Sequence, residues 1–445
     1  MTHNELLLAF YGDDFTGSTD ALEFISRAGA KAILFMEPPG MEQLQRYPGL
    51  QAVGVAGMTR SMAPADMEAV LRPAFTALGA LGAPHIHYKV CSTFDSSPYM
   101  GSIGKAMDIG ADIFPAAFIP VLGGAPTLGR FCVFGHLFAR MGIGSNGDIY
   151  RLDRHPSMSR HPITPSDESD LRLHLGRQTK KKMALMDILQ VAKPAAKAQK
   201  ILQELIHNGA EIVLFDALYE DHVTAIGRLI DNYAGPGKSL FSIGSSCIEM
   251  ALGAYWIKRG RLAEPRSWAA PGKVSPLLVV SGSCSPVTTG QIAWAVSQGF
   301  KEIALDTASV IAGGFPAAGE NNEVTAALAM LRQGNSVIIH TGKTVAHSLG
   351  LGATAQVLGT ALGRMVREIA EQFPLRRVVI AGGDTSSYAA RALGIEAVGM
   401  IAPLSPGAPL CKVYAPGSPV DGIEINLKGG QVGSEDYFGK LLAGA

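Results

Sequence analysis

The sequence predicts an α/β protein of two domains, each a mostly parallel sheet flanked by helices, with an active site in the cleft between them. Three observations lead there. Short apolar runs of strand length alternate with segments of helical period, an aperiodic stretch rich in Arg, Pro, Gly and Ala interrupts that alternation at 260–273, and 445 residues exceed what one hydrophobic core usually serves. The expected limits are 1–257 for the first domain, 258–275 for the connection and 276–445 for the second.

Residues 6–11, 32–35, 52–56 and 85–90 read as strands, with helical periods at 18–28 and 64–81 between them, and 212–215 and 240–243 continue the series. A second βα series runs through 277–280, 302–305, 336–340, 377–380 and 397–401. Small polar residues follow several of these strands. In open α/β sheets ligands sit beyond the carboxyl ends of strands, so those turns are where a ligand is expected. Residues 139–180, rich in Arg, His, Pro and Asp, read as an irregular polar excursion.

Composition narrows the partners. Apolar residues are 47% and charged residues 17%, a balance of compact enzymes rather than disordered chains. Lys plus Arg and Asp plus Glu are both 38, so no global field favours nucleic acid or an anionic membrane, and a small anion must be met locally. Five scattered cysteines without a Cys-x-x-Cys pair fit a reduced cytoplasm. The run 6–10 is too short and too soon followed by acids for a signal peptide, and no apolar stretch reaches membrane-spanning length. Homo-oligomerisation stays open.

The turn 12–20, Gly-Asp-Asp-Phe-Thr-Gly-Ser-Thr-Asp, follows the first strand and precedes a helix. Its carboxylates and hydroxyls suit polyol hydroxyls, and one acid could accept a proton from an attacking hydroxyl. Helix capping explains one of these residues and leaves the acid pair unexplained. Lys89 to Ser97 is a second strand running into a hydroxyl-rich turn, with Ser92, Thr93 and Asp95 as ligand candidates. Arg60 and Arg160 are candidates for a bidentate carboxylate clamp, with His136, His161, Thr164 and Asp170 nearby in the polar excursion. The histidines lack fixed metal-ligand spacing.

In the second half, Ser281 to Thr288 and Gly382 to Ser386 each follow a strand and open a helix, an arrangement in which backbone N–H groups and the helix dipole receive phosphate oxygens. Gly430 lies in a third Gly-rich turn. Residues 342–344 and 237–239 end like P-loops but lack the earlier glycine, and 142–147 matches a dinucleotide fingerprint without the helix it needs. Cys91 and Cys284 have no neighbouring base and read as packing residues.

Taken together these segments resemble the four-carbon acid sugar kinase family, formerly a domain of unknown function, over nearly the whole chain. The turn 12–20 is similar to that family's Ala-Asp-Asp-Phe-Thr-Gly-Ala-Thr-Asp. Cys91 to Ser96, Gly101, Ile103-Gly104, Gly135 to Phe138 and 160–170 are closer to the 3-oxo-tetronate kinase group. The chain departs from it at Tyr11-Gly12, where Ile-Ala is usual, and at Ser97 to Met100. The resemblance implies phosphorylation by ATP and Mg²⁺ of the terminal hydroxyl of a 3-oxo-tetronate type of acid. A branched or reduced acid (3-oxo-isoapionate, threonate, erythronate) and a non-catalytic nucleotide-gated sensor are the alternatives. A dehydrogenase or isomerase would need a dinucleotide fingerprint or metal set that is missing. Asp14, with Asp13 and Asp20 as interchangeable partners, is the expected base; Thr16, Arg60, Ser92, Thr93, Asp95, His136, Arg160, His161, Thr164 and Asp170 would bind the acid. Ser281, Ser283, Ser285, Gly382, Gly383, Asp384, Thr385 and Gly430 would hold the nucleotide, with Asp384 alternatively ordering a magnesium-bound water.

Overall fold

A computed structural model describes residues 5–141, 147–160, 164–235, 237–263, 267–313, 321–342 and 351–444. The dinucleotide-like match at 142–147 and His161 therefore fall essentially outside the described residues. The chain forms two compact units, Met1–Ile33 with Glu37–Arg266, and Leu34–Met36 with Ser267–Ala445.

The strands of the first unit are β1 (Leu8–Gly12), β2 (Ala32–Phe35, whose Leu34 and Phe35 belong to the second unit), β3 (Ala52–Ala56), β4 (His85–Lys89), β5 (Ile119–Leu122), β6 (Arg130–Val133), β7 (His136–Arg140), β8 (Ile149–Arg151), β9 (Met183–Met186), β10 (Ile212–Phe215) and β11 (Leu240–Gly244). Its main sheet runs β3-β1-β4-β11-β5-β10-β9, all parallel. β1, β3 and β4 are wholly buried, as expected for strands covered by helices on both faces. Because β1 lies between β3 and β4, the connections leaving it diverge, and the crevice at its carboxyl end is a topological switch point.

The stretch read as an irregular excursion is more ordered than expected. Its first residues end β7 and it contains β8; with β6 just before them these strands form a separate antiparallel sheet, and the excursion closes with the helix Leu171–Gly176. The reason is the period-2 pattern: in β7, Leu137 and Ala139 are buried while His136, Phe138 and Arg140 are half-exposed. The polar residues on alternate positions hide the strand from a composition-based reading.

The second unit contains β12 (Leu278–Ser281), β13 (Lys301–Ala304), β14 (Val337–His340), β15 (Arg377–Ala381), β16 (Ala397–Ala402), β17 (Leu410–Tyr414) and β18 (Glu424–Lys428). The order is β13-β14-β12-β15-β18-β17-β16. The pairs from β13 to β18 are parallel, whereas β18-β17 and β17-β16 are antiparallel, a meander the sequence did not disclose. Leu34 and Phe35 pair with Val398 and Ala397 at its edge. Here the switch point lies at β12, between β14 and β15. Among the described residues no helix is long and apolar enough to cross a membrane.

Candidate active site

In the first unit the turn after β1 carries the acid pair. Asp14 is the N-cap of the helix Phe15–Arg27, its Oδ1 accepting from the Gly17 N–H at 2.7 Å while Oδ2 accepts from the Thr16 hydroxyl at 2.9 Å. Arg60, in a 3₁₀ turn after β3, grips both acids. Its Nη2 donates to Asp13 Oδ1 (2.7 Å) and Asp14 Oδ1 (2.9 Å), its Nε to Asp13 Oδ2 (3.1 Å) and its Nη1 to Asp14 Oδ2 (2.8 Å). A guanidinium has five N–H donors, and four are engaged here. Arg60 therefore organises the acids and has little left for a ligand carboxylate. Among the described residues the Asp14 carboxylate accepts four hydrogen bonds, whereas that of Asp13 accepts only the two from Arg60. Burial holds the Asp13 carboxyl above its ordinary range; Arg60 opposes that rise and the Asp14 charge adds to it.

One face of β4 is a stripe of basic residues, and each meets a carboxylate from a covering helix. His85 Nε2 lies 3.0 Å from Asp231, His87 Nδ1 lies 2.6 Å from Glu249, and Lys89 Nζ lies 3.5 Å from Asp20. Lys89 ends the strand almost wholly buried, with Nζ donating to the Val90 carbonyl. Burial works against its charge, but Asp20, Asp13 and Asp14 together hold its pKa above the usual lysine value. Asp20 is raised by burial with Lys89 opposing, and its Oδ1 is buried without a hydrogen-bond partner. Sequence reading placed Lys89 at the head of the second turn but gave it no role. The available signal was a lysine ending a strand that is otherwise deep in the sheet.

The second turn follows directly. Ser92 and Thr93 are buried, Thr93 Oγ1 lies 2.9 Å from the Cys91 sulfur, and burial pushes the Cys91 thiol up to about 11, which suits a packing residue and not a nucleophile. Phe94 is buried with φ at 54°, a conformation a bulky residue adopts only when its surroundings impose it. The next residue, Asp95, has an Oδ1 that is also buried and without a partner among the described residues.

The excursion residues behave differently. Asp170 caps the helix Leu171–Gly176 and forms a two-pronged pair with Arg172 at 2.9 and 2.6 Å, so its carboxylate is spent on structure. His136 Nδ1 is 2.9 Å from the Ser169 hydroxyl. Thr164 is buried, and Arg160 is exposed in a 3₁₀ turn.

In the second unit three turns come together. Gly282 N–H donates to the Ala381 carbonyl (3.1 Å), and Gly382 N–H to the Lys428 carbonyl (2.9 Å). A Cβ at Gly382, whose φ is 125°, would stand 2.7 Å from Thr385 Oγ1; one at Gly430 would stand 2.6 Å from Ser283 Oγ. These glycines allow the close approach. The Ser281 and Ser283 hydroxyls accept from the Ser283 and Ser285 N–H groups at 3.3 Å, and Ser285 caps the helix Pro286–Ser297. Gly383, Asp384 and Thr385 form the first turn of the helix Gly383–Ala392, with Asp384 exposed. Beneath them Lys428 ends β18 fully buried; its Nζ donates to Thr288 Oγ1 at 3.0 Å, and that hydroxyl donates to the Gly430 carbonyl at 2.9 Å. Burial lowers Lys428 to about 7. Lys428 heads the third Gly-rich turn of the sequence and, like Lys89, had no role assigned from sequence. Two helix starts and a Gly-rich turn around a buried amine are an arrangement that can receive phosphate oxygens.

A family model described as a sugar-binding N-terminal domain matches residues 8–252, and one described as a nucleotide-binding C-terminal domain matches 278–438. The chain is 43% identical to a 3-oxo-isoapionate kinase of Paraburkholderia graminis, covering 99% of this chain and 94% of that one. It is 30% identical to a 3-oxo-tetronate kinase of Methylobacterium radiotolerans, covering 98% and 99%. A crystal structure from Salmonella typhimurium LT2, provisionally described as a tRNA synthase, superposes with a TM-score of 0.75 at 24% identity, covering 98% of each chain, a likeness of fold alone.

Proposed function

This chain belongs to the family that joins a sugar-binding N-terminal domain to a nucleotide-binding C-terminal domain, and from that premise we propose that it transfers the γ-phosphoryl group of ATP to the terminal hydroxyl of a small 3-oxo sugar acid. The observation that carries the reading is the pairing of chemistries at two switch points: an arginine-held acid pair after β1, and a glycine and serine cradle after β12 and β15. Asp13, with lone pairs to spare and a carboxyl raised by burial, accepts the hydroxyl proton. Asp14, saturated by Gly17, Thr16 and Arg60, holds the geometry. Lys89 balances the acids so that the site can carry them ionised.

Magnesium in such reactions is held by one or two carboxylates and the phosphates rather than by a protein cage. The residues fit that mode: among the described residues no three His, Cys, Asp or Glu gather into a metal cage, and exposed Asp384 stands beside the cradle. Asp384 would hold Mg²⁺ together with the phosphates and the Ser283 and Ser285 hydroxyls. When bound, the ion would neutralise charge spreading over the transferred group.

A branched acid is the second reading, favoured by the 43% identity to a 3-oxo-isoapionate kinase against 30% to a 3-oxo-tetronate kinase. ADP release from pure protein with ATP, Mg²⁺ and either 3-oxo acid, beside threonate and erythronate, tests both. One 3-oxo acid should exceed the reduced acids in kcat/KM, with the phosphate on the terminal oxygen by ³¹P NMR. Nucleotide binding without turnover on any acid would replace the kinase by a sensor.

A further inference from the structure

The acid end of the substrate needs a cation that the site itself does not consume. Arg60 is committed to Asp13 and Asp14, Arg172 to Asp170, and Arg160 is exposed to solvent. Arg130 is different. It opens β6, where alternation puts Arg130 and Cys132 on the buried face while Phe131 and Val133 line an apolar cavity of about 770 Å³ on the other. Its side chain lies on that buried face, and the Asp95 carboxylate favours its charge. The residue is only 7% exposed.

Its Nη1 is pinned by the carbonyls of Leu128 (3.2 Å), Gly129 (3.3 Å) and Arg140 (3.2 Å), which set the plane of the guanidinium without neutralising it. Among the described residues no carboxylate pairs with Arg130, Nε is buried without an acceptor, and Nη2 makes no hydrogen bond. Nε and Nη2 form the side of the fork that carboxylates engage with two parallel bonds. A buried cation lacking its anion is costly, and burial does depress Arg130 while the Asp95 charge only partly offsets it. Asp95 Oδ1, buried and without a hydrogen-bond partner among the described residues, is an acceptor for a substrate hydroxyl.

We propose that Arg130 is the residue that selects for a carboxylated substrate, its Nε and Nη2 receiving the carboxylate while Asp95 accepts from an adjacent hydroxyl. The inference rests on the sugar-acid reading above but assigns the acid's anchor to a residue that neither motif spacing nor the acid-pair turn pointed to.

The test compares wild type, Arg130→Met and Arg130→Lys by calorimetric titration with the 3-oxo acid in the absence of nucleotide, and with the neutral ketose carrying a hydroxymethyl group in place of the carboxylate. Arg130→Met should weaken the acid about a hundredfold, the scale for losing one partner of a buried charge pair. Affinity for the ketose and for ATP should be unchanged. Arg130→Lys, which keeps the charge and loses the fork, should fall between. A folded Arg130→Met that keeps its affinity for the acid, or one that loses acid and ketose equally, would overturn the assignment; if Arg130→Met melts early, equal losses in Arg130→Lys do the same. Acid binding by wild type without ADP formation would defeat the kinase reading and leave Arg130 standing. Turnover insensitive to Arg130 would do the reverse.

Discussion

Two buried lysines end strands at the two ligand turns, and they are shifted in opposite directions. Lys89, at the end of β4, has Asp20, Asp13 and Asp14 around it, and its pKa stays above the ordinary value despite burial. Lys428, at the end of β18, has a threonine hydroxyl and the Tyr437 ring, no ion pair among the described residues, and a pKa lowered to about 7. Around its acid pair the first site is thus electrically balanced, with Arg130 left to meet the substrate carboxylate, whereas the lysine of the second site lacks an anion altogether. A sugar acid with several hydroxyls must be discriminated group by group, which calls for fixed side chains. A triphosphate brings its own charge, so backbone N–H groups and one unpaired amine suffice.

The comparison breaks first at the acids. Asp13→Asn should lower turnover by roughly a hundredfold to ten-thousandfold, with ATP affinity intact because the nucleotide residues belong to the other unit. Asp14→Asn should cost less turnover but about 1 kcal/mol of stability through its cap. If the two variants trade places in single-turnover rates, the proton goes to Asp14 after all.

Lys428 gives the next effect, through pH. Its folded pKa of about 7 lies below the ordinary 10.5, so between those values the unfolded chain binds the extra proton and stability rises with pH, at up to about 1.4 kcal/mol per pH unit. Below pH 7 the full cost of the buried ammonium is present. Lys428→Met should remove that slope from denaturation curves measured between pH 7 and 10. ATP supplies the missing anion, so nucleotide binding at pH 8 should draw in a proton, seen as buffer-dependent heats, and the variant should not. Identical slopes in both proteins would mean that Lys428 already has its counter-charge and that the two sites are built alike.

How far all this could be read from sequence depends on what each feature does to local composition. The turns after β1, β12 and β15 were legible because glycines and hydroxyls stand out against the apolar strands before them. β6 to β8 were not, because half-buried strands carrying His136 and Arg140 on alternate positions look like loop. Arg60 looked like a free clamp, and only the folded turn reveals that both acids close on it. The roles of Lys89, Arg130 and Lys428 were invisible for a related reason: a single cation at a strand end reads as a solvated boundary until burial is known.

Smaller effects probe how each turn is packed. Gly382→Ala meets both a positive φ and Thr385 Oγ1 at 2.7 Å, so about 1–3 kcal/mol of strain is expected. It should appear as weaker ATP binding with acid binding unchanged. The smallest effect lies in the other turn. Where the resembled family has alanine at both positions, this chain has Gly12 and Ser18, and a Cβ on residue 12 would stand 1.9 Å from Ser18 Oγ and 2.9 Å from Ser18 Cβ. The Ser18 hydroxyl fills that space and donates to the Asp14 carbonyl at 2.6 Å. Gly12→Ala alone must expel the hydroxyl and should destabilise by about 1–3 kcal/mol, while Ser18→Ala alone loses one hydrogen bond, about 1 kcal/mol. In the double variant the smaller residue at 18 removes the closest clash, so the summed cost should fall by about 1 kcal/mol in denaturant titrations. Strict additivity would mean that the two departures are unconnected and that the turn carrying the acid pair relaxes more readily than the rigid nucleotide cradle.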